Sequence, residues 1–314
     1  MLKIGVFYSL KYHSAINMTE EYIVGEMVIN KDTGFRAPIN DAYSFRCLVD
    51  FMGSTIINLP LLITPSSIGA VQSDNHRTIF HVMNIDTDKL PEFYINPEIE
   101  YVEMCVNMRQ FRSKIKNAQK RTVTLTLFNN MKNLQNFYAI IVVPNQKSNG
   151  TIIIDTVRCE TQPVYEFPKY VNDKGIKLSP NLVLQVTDLS RVFNHVSNSK
   201  CNYAEFQCYQ KGIIIKGMND GKLTCIQTLG RVANPFNVGE ETAVSMNGQQ
   251  LCTYCIPTIN IKPFYKIGNI SPQSATLQIY YHPNKPLKII FPIGTSGQHE
   301  VFLIDVDPKT MKPR

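Results

Sequence analysis

Cys252-Thr-Tyr-Cys255 has CxxC spacing, which closes a tetrahedral metal site when a second such pair or a His-x-His partner accompanies it. Neither partner is present, and the position ahead of a helix start suits small apolar side chains that pack. The six histidines, His13, His76, His81, His195, His282 and His299, follow no HExxH or paired spacing, and His195 falls on the polar face of a helical segment. No GxxxxGK[ST] loop occurs and no GxGxxG follows a strand, so nucleotide and dinucleotide chemistry have no sequence support. The run from Gly217 to Gly221 has the composition of a hairpin turn. With no nucleophile set beside a base, the expectation is a non-enzyme that needs no cofactor and no metal.

The residues that carry a signal are cationic. MRQFRSKIKNAQKR, from Met108 to Arg121, holds six basic residues and no acid, while Met108, Phe111, Ile115 and Ala118 recur at helical spacing. One face belongs to a core and the remainder is positive. At 100° per residue Arg109, Arg112, Lys116 and Lys120 fall along one flank, with Lys114 beside them, so their heads can line up against a phosphate backbone. The competing reading is a solvated helix face, which normally mixes both signs. A second helical stretch, Pro257 to Ile270, is also acid-free and sets Lys262 and Lys266 one turn apart.

These segments belong to a long repeat. An amphipathic helix, an alternating strand, a glycine turn, a second strand, another helix and a closing strand run from Tyr43 to Leu127, and again from Thr187 to Ile279. The landmark pairs Gly69 and Gly212, Phe111 and Phe264, and Thr124 and Thr276 are offset by 143, 153 and 152 residues. Such a period means two similar units. In TDLSRVFNHVSN, Thr187 or Asp188 is placed to cap a helix with the stripe Leu189, Val192, Phe193 and Val196, leaving Arg191 outside. Its counterpart, Tyr43 to Gly53, buries Phe45, Leu48, Val49 and Met52 and leaves Arg46 outside. Strands outnumber helices, among them Asn136 to Val143, Thr151 to Val157, Leu223 to Thr228 and Lys288 to Ile293, so the class is α+β with helices on one face of antiparallel sheets.

Size and composition bound the rest. The chain has 314 residues, 44% of them hydrophobic, enough for about two domains of roughly 150 residues. No apolar run approaches the ~20 residues of a membrane span, and MLKIGVFYSLKYH lacks a signal-peptide pattern, so a soluble intracellular protein without membrane contact is expected. Eight dispersed cysteines suit a reducing compartment. The net charge of +7 permits a polyanionic partner.

The stretch TDLSRVFNHVSNSKCNYAEFQCYQKGIIIKGMNDGKL resembles the opening of the second domain of the proliferating-cell nuclear antigen (PCNA) family of DNA sliding clamps. PFYKIGNISPQSATLQIYYHPNKPLKIIFPIGTSGQHEVFLI is similar to that family's closing helix and strands, and AVQSDNHRTIFHVMNI and VNMRQFRSKIKNAQKRTVTLTL occupy corresponding places in the first half. The likeness spans Gly34 to Ile304. It departs in the N-terminal extension, the net positive charge, and Pro257 and Pro263 in the last helix. The Asn- and Ile-rich, Trp-free composition would fit an AT-rich large DNA virus, with the host nucleus or a cytoplasmic replication site as its location.

The resemblance implies an N-terminal extension (1–33), clamp domain 1 (34–158), a connecting linker (159–180), clamp domain 2 (181–306) and a tail (307–314). It implies a homotrimeric ring, sheets outside and helices lining a hole around double-stranded DNA, gripped without regard to sequence, that tethers a DNA polymerase and other clamp-binding proteins as a processivity factor. Arg46, Arg109, Arg112, Lys114, Lys116, Lys120, Arg191, Lys262 and Lys266 would line the hole. Ile152, Ile153 and Ile154 of one subunit would pair with Leu223, Cys225 and Ile226 of the next; an ordinary internal strand is the alternative for TIIIDTV. A client-peptide pocket would be built from Ile79, His81, Tyr165, Phe167, Pro286, Phe302 and Ile304, with ordinary half-exposed edge residues as the alternative for the last two. Other functional classes are an accessory factor for a viral polymerase or late transcription that grips DNA without forming a ring, and a β-rich capsid-type protein.

Overall fold

The computed structural model describes residues 33–116, 122–130, 137–144, 153–160, 179–230 and 250–314. Along the first half run β1 (Thr33–Ile39), α1 (Ala42–Met52), β2 (Asn58–Ile63), β3 (Ser67–Ser73), β4 (Ile79–Asp86), the short β5 (Tyr94–Ile95), β6 (Val102–Asn107), α2 (Met108–Ile115), β7 (Thr122–Asn130), β8 (Phe137–Pro144) and β9 (Ile153–Glu160). The order recurs as β10 (Leu182–Gln185), α3 (Val186–Asn198), β11 (Tyr203–Tyr209), β12 (Gly212–Asn219), β13 (Lys222–Gly230) and β14 (Cys252–Pro257). Next come α4 (Thr258–Ile261), a 3-10 turn over Lys262–Lys266, α5 (Ile267–Ile270), β15 (Thr276–Tyr280), β16 (Leu287–Ile293) and β17 (Gly297–Leu303). The α+β plan expected from the sequence is the plan of the fold.

Local chemistry explains the helix limits. The Asp41 carboxylate accepts the Ser44 N–H at 3.1 Å and so satisfies a free donor at the start of α1, whose expected stripe of Phe45, Leu48, Val49 and Met52 is buried. The Asn107 side chain does the same for α2, accepting from the Gln110 N–H at 3.1 Å, while Met108, Phe111 and Ile115 turn inward. α2 ends at Ile115, short of the expected Arg121; residues 117–121 lie outside the described residues. α3 starts earlier than expected, at Val186 behind Gln185, and has no side-chain cap. Asp188 instead occupies the first turn, where a carboxylate suits the positive helix end. The last helical segment, Pro257 to Ile270, in which Pro257 and Pro263 were expected as interruptions, is split into α4, the 3-10 turn and α5. Pro263 has no N–H to give and its ring crowds the preceding turn, which forces the tighter winding.

Two sheets carry the helices. Among the described residues thirteen strands follow one another as β10-β15-β16-β17-β4-β3-β2-β6-β9-β8-β7-β1-β5, and the other four as β13-β12-β11-β14. The halves meet where β17 lies antiparallel to β4, in register from Gly297 opposite Ile85 to Leu303 opposite Ile79. Under that seam an edge-to-face series of rings joins the halves: Phe206 to Phe193 at 5.8 Å, Phe193 to Phe264 at 5.1 Å, Phe264 to Phe51 at 5.1 Å and Phe51 to Phe291 at 5.8 Å. All five rings are at most 1% exposed, and each contact adds about 0.5–1.5 kcal/mol beyond area burial. α1 packs on α5 across this junction, tied there by the Ser44 hydroxyl, which donates to the Asn269 carbonyl at 3.2 Å.

Candidate nucleic-acid interface

The helices bring most of the expected cations onto the helix-covered side of the sheets and sort them into two kinds. Arg109 and Lys116 on and after α2 are exposed, as is Lys262, whereas Lys114 and Lys266 are half-buried. Arg191 is 78% exposed and pairs with Asp188 at 2.9 Å. Arg112 behaves differently. Its Nε lies 3.0 Å from Asp50 Oδ1 and its Nη1 donates to the Gly53 carbonyl at 3.0 Å, so it clamps α2 to the end of α1. Arg46 reaches the same carboxylate at 3.9 Å. A Cβ on Gly53 would sit 2.5 Å from Arg112 Cδ, so the glycine makes room for this crossing. The flank of four aligned cations is thereby reduced: Arg112 turns toward Asp50, and Lys120 lies outside the described residues.

Two residues on this side were not singled out from sequence. The Met108 N–H meets the Ile57 carbonyl at 2.8 Å and the Thr258 N–H meets the Asn202 carbonyl at 3.0 Å, which makes Met108 and Thr258 equivalent helix starts. The next residue is Arg109 in the first half and Ile259, 71% exposed, in the second. Tyr265, 46% exposed, rims a cavity of about 350 Å³ with Thr187, Ser190, Arg191, Asn194 and Gly268. The Ser190 hydroxyl donates to the Tyr265 carbonyl at 2.8 Å, and Lys266 Nζ sits 5.7 Å from the Tyr265 ring centre. Helical spacing could have flagged Tyr265, which lies three residues after Lys262.

The strand edges follow a rule set by the repeat. In the second half β17 is the last strand and pairs with β4, the outer strand of the row β4-β3-β2-β6. The corresponding last strand of the first half is β9, and the corresponding outer strand of the row β13-β12-β11-β14 is β13. β9 pairs with β8 along Ile153 to Arg158 and touches β6 only through Cys159 and Glu160. The side of β13 away from β12 has no partner strand among the described residues. Among the described residues, Ile153 and Ile154 therefore lie on a stretch of β9 paired on one side only, and Leu223, 52% exposed, with half-buried Cys225 and Ile226, on the outer strand β13. Ile152 lies outside the described residues.

The expected peptide pocket needs correction at two positions. Ile79 and His81 are 0% and 1% exposed and alternate with Phe80 along β4, which turns both toward the helix-side core and away from any docking peptide. His81 instead meets His299 at 3.0 Å. On the opposite face of the seam Phe302 stands directly across from Phe80, both nearly buried, and Lys288 Nζ lies 5.2 Å from the Phe302 ring centre and 2.6 Å from Glu300. Pro286 and Ile304 are half-buried, and Tyr165 and Phe167 lie outside the described residues.

Cys252 and Cys255 cannot share a metal ion. Three residues apart on β14, they face opposite sides of the sheet: Cys252 packs against the core, while Cys255 lies beside Asp305, and burial and that carboxylate push its thiol up to about 12. Among the described residues no three His, Cys, Asp or Glu side chains gather as metal ligands, and no helix is long and apolar enough to cross a membrane.

No family profile matches the chain, and no curated protein matches it. Solved structures do. The PCNA2–PCNA3 complex from Sulfolobus tokodaii superposes with a TM-score of 0.65 at 13% identity over 85% of this chain and 98% of that one. Proliferating cellular nuclear antigen from Entamoeba histolytica gives 0.65 at 14% identity, covering 88% of this chain and all of its own. PCNA from Thermococcus kodakaraensis gives 0.64 at 12%, covering 89% and 100%. At these identities the likeness is one of architecture, and the architecture of this chain is that of the PCNA clamps.

Proposed function

We propose that the chain is a sliding clamp, a non-catalytic ring of three copies that encircles duplex DNA and tethers a polymerase and other clamp-binding proteins. The observation that carries this reading is a pair of strand edges without a partner among the described residues, β9 from Ile153 to Arg158 on its side away from β8 and β13 on its side away from β12, which stand where the repeat sets β17 and β4 against each other within the chain. Repeating the β17–β4 contact between copies joins β9 of one to β13 of the next, a head-to-tail interface that closes into a ring when its rotation permits. Residues 34–158 and 181–306 are then the two clamp domains and 159–180 their connector. Leu223 on an unpaired edge is an aggregation hazard until a partner strand covers it.

Arg109, Lys116, Lys262, Lys266 and Arg191 supply long cationic side chains on the helix side, which suffices for phosphate contact without base reading. Phe302, Ile304 and Pro286, beside the seam and away from the helices, are the residues proposed to receive a client peptide.

Light scattering of the full chain at micromolar concentration and moderate salt tests the ring. A mass near three times 35.7 kDa is expected. A monomer at every concentration would overturn the ring and leave a factor that grips DNA from one side.

A further inference from the structure

One feature of β14 stands apart from any DNA-binding role. Cys252 lies directly opposite Cys208 of β11 in the antiparallel register, at the outer end of the last strand of the four-stranded sheet. Opposed residues in such a pair have Cβ atoms about 4.5–5.5 Å apart, and a disulfide needs about 3.5–4.5 Å, so a small closing movement of a strand end suffices. Cys208 is fully buried, whereas Cys252 is half-buried and follows exposed Leu251. The Tyr254 hydroxyl, on the same face two residues on, lies 3.6 Å from Cys252 Sγ. The main chain of His282 holds that hydroxyl: its carbonyl accepts at 2.9 Å and its N–H donates at 3.0 Å.

We propose that Cys252 is a peroxide-reactive modification site and that Cys208 is its resolving thiol, the two closing a cross-strand disulfide between β11 and β14. The microenvironment favours attack from Cys252. Hydrogen bonding with Cys208 outweighs burial and lowers the Cys252 thiol below its ordinary range, which favours the thiolate there over its neighbour. Cys208 is shifted the other way by the same hydrogen bond and by burial, and stays a thiol. In the first step the Cys252 thiolate attacks one oxygen of a hydroperoxide. The S–O bond forms, the O–O bond breaks, and hydroxide or alkoxide leaves; sulfur is oxidised to the sulfenic acid and the peroxide is reduced. In the second step Cys208 sulfur attacks Cys252 sulfur. The S–S bond forms, the S–O bond breaks, and the leaving hydroxide takes the Cys208 proton as water.

The competing reading is that both cysteines pack as small inert hydrophobes. A second neighbouring thiol pair supplies an internal control. Cys201 and Cys225 both approach the Ser199 hydroxyl, at 3.5 and 3.1 Å, but stand on different elements near the β13 edge.

The test is to treat the reduced full-length protein with hydrogen peroxide at neutral pH, block remaining thiols, digest, and map the cysteine peptides by mass. The expected product joins the peptides containing Cys208 and Cys252, with the loss of two hydrogens. Before oxidation Cys252 should alkylate about tenfold faster than Cys201. In Cys208→Ser the sulfenic acid should persist on Cys252 and be captured by dimedone, and in Cys252→Ser neither product should form. Should Cys208→Ser fail to fold, Cys208→Ala and the wild-type alkylation rates decide. A disulfide joining Cys201 to Cys225, a link only between chains, or a Cys252 that alkylates no faster than Cys201 would overturn the assignment.

Discussion

His81 Nδ1 and His299 Nε2 lie 3.0 Å apart in the core, at the seam where β4 meets β17. The bonds around them fix the protons. The Thr55 hydroxyl donates to the Met52 carbonyl at 3.1 Å and so accepts from His81 Nε2 at 2.9 Å, which leaves His81 Nδ1 to accept from His299 Nε2. His299 Nδ1 is then an unprotonated nitrogen, and it has no partner among the described residues. Both rings are neutral, since burial holds His81 down at about 3 and, with the neighbouring imidazole, His299 well below its ordinary range.

The pair predicts acid sensitivity. Each histidine takes up its proton near pH 6.5 when unfolded but not when folded, so the unfolded state binds more protons below that pH and stability falls with pH. Between pH 7 and 5 the pair should remove about 4 kcal/mol, at roughly 1.4 kcal/mol per histidine per pH unit below 6.5. Urea midpoints measured across this range should show the decline, and His81→Leu with His299→Leu should flatten it. An unchanged slope in the double variant would mean the pair is not the cause.

Arg112 should matter for stability more than for charge. Removing it in Arg112→Ala leaves Asp50 with only the longer Arg46 pairing and takes the Arg112 donor from the Gly53 carbonyl, a loss of about 1–2 kcal/mol by denaturant titration. Arg109→Ala and Lys116→Ala, at exposed positions, should stay within about 0.5 kcal/mol of the parent.

DNA binding, if the clamp reading holds, should reverse that ranking. Arg109→Ala and Lys116→Ala should each lower the slope of log affinity against log salt by about 1, measured by fluorescence anisotropy on duplex DNA. Unaltered slopes would remove both residues from the interface.

The β13 edge should control assembly. Leu223→Asp with Ile226→Lys places charge where a partner strand is proposed and should convert the oligomer to monomer by light scattering, with the thermal midpoint of the monomer fold retained. An oligomer that survives would locate the contact elsewhere.

Gly297 opens β17 at the seam, where a Cβ would collide with the Asn84 carbonyl oxygen. Gly297→Ala should therefore force the two strands apart and cost about 1–3 kcal/mol in unfolding free energy. A neutral outcome would mean that the β4 backbone yields at little cost.

The sequence alone determined the features that depend on near neighbours. Period-3.6 stripes set which faces of α1 and α3 are buried, alternation set the strands, and the 143- to 153-residue offsets set the duplicated α+β plan. The acid-free run after Met108 marked the cationic helix in the same way. Tertiary structure decided which side chains meet. Asp50 claims Arg112 across 62 residues and His299 claims His81 across 218. Cys252 finds Cys208 rather than Cys255 because β14 alternates its faces and pairs with β11 in one register. The physical reason is common to all three: periodicity is written in a few adjacent residues, but a partner depends on long-range strand register, and a one-residue slip would turn Ile79 and His81 outward and Phe80 inward.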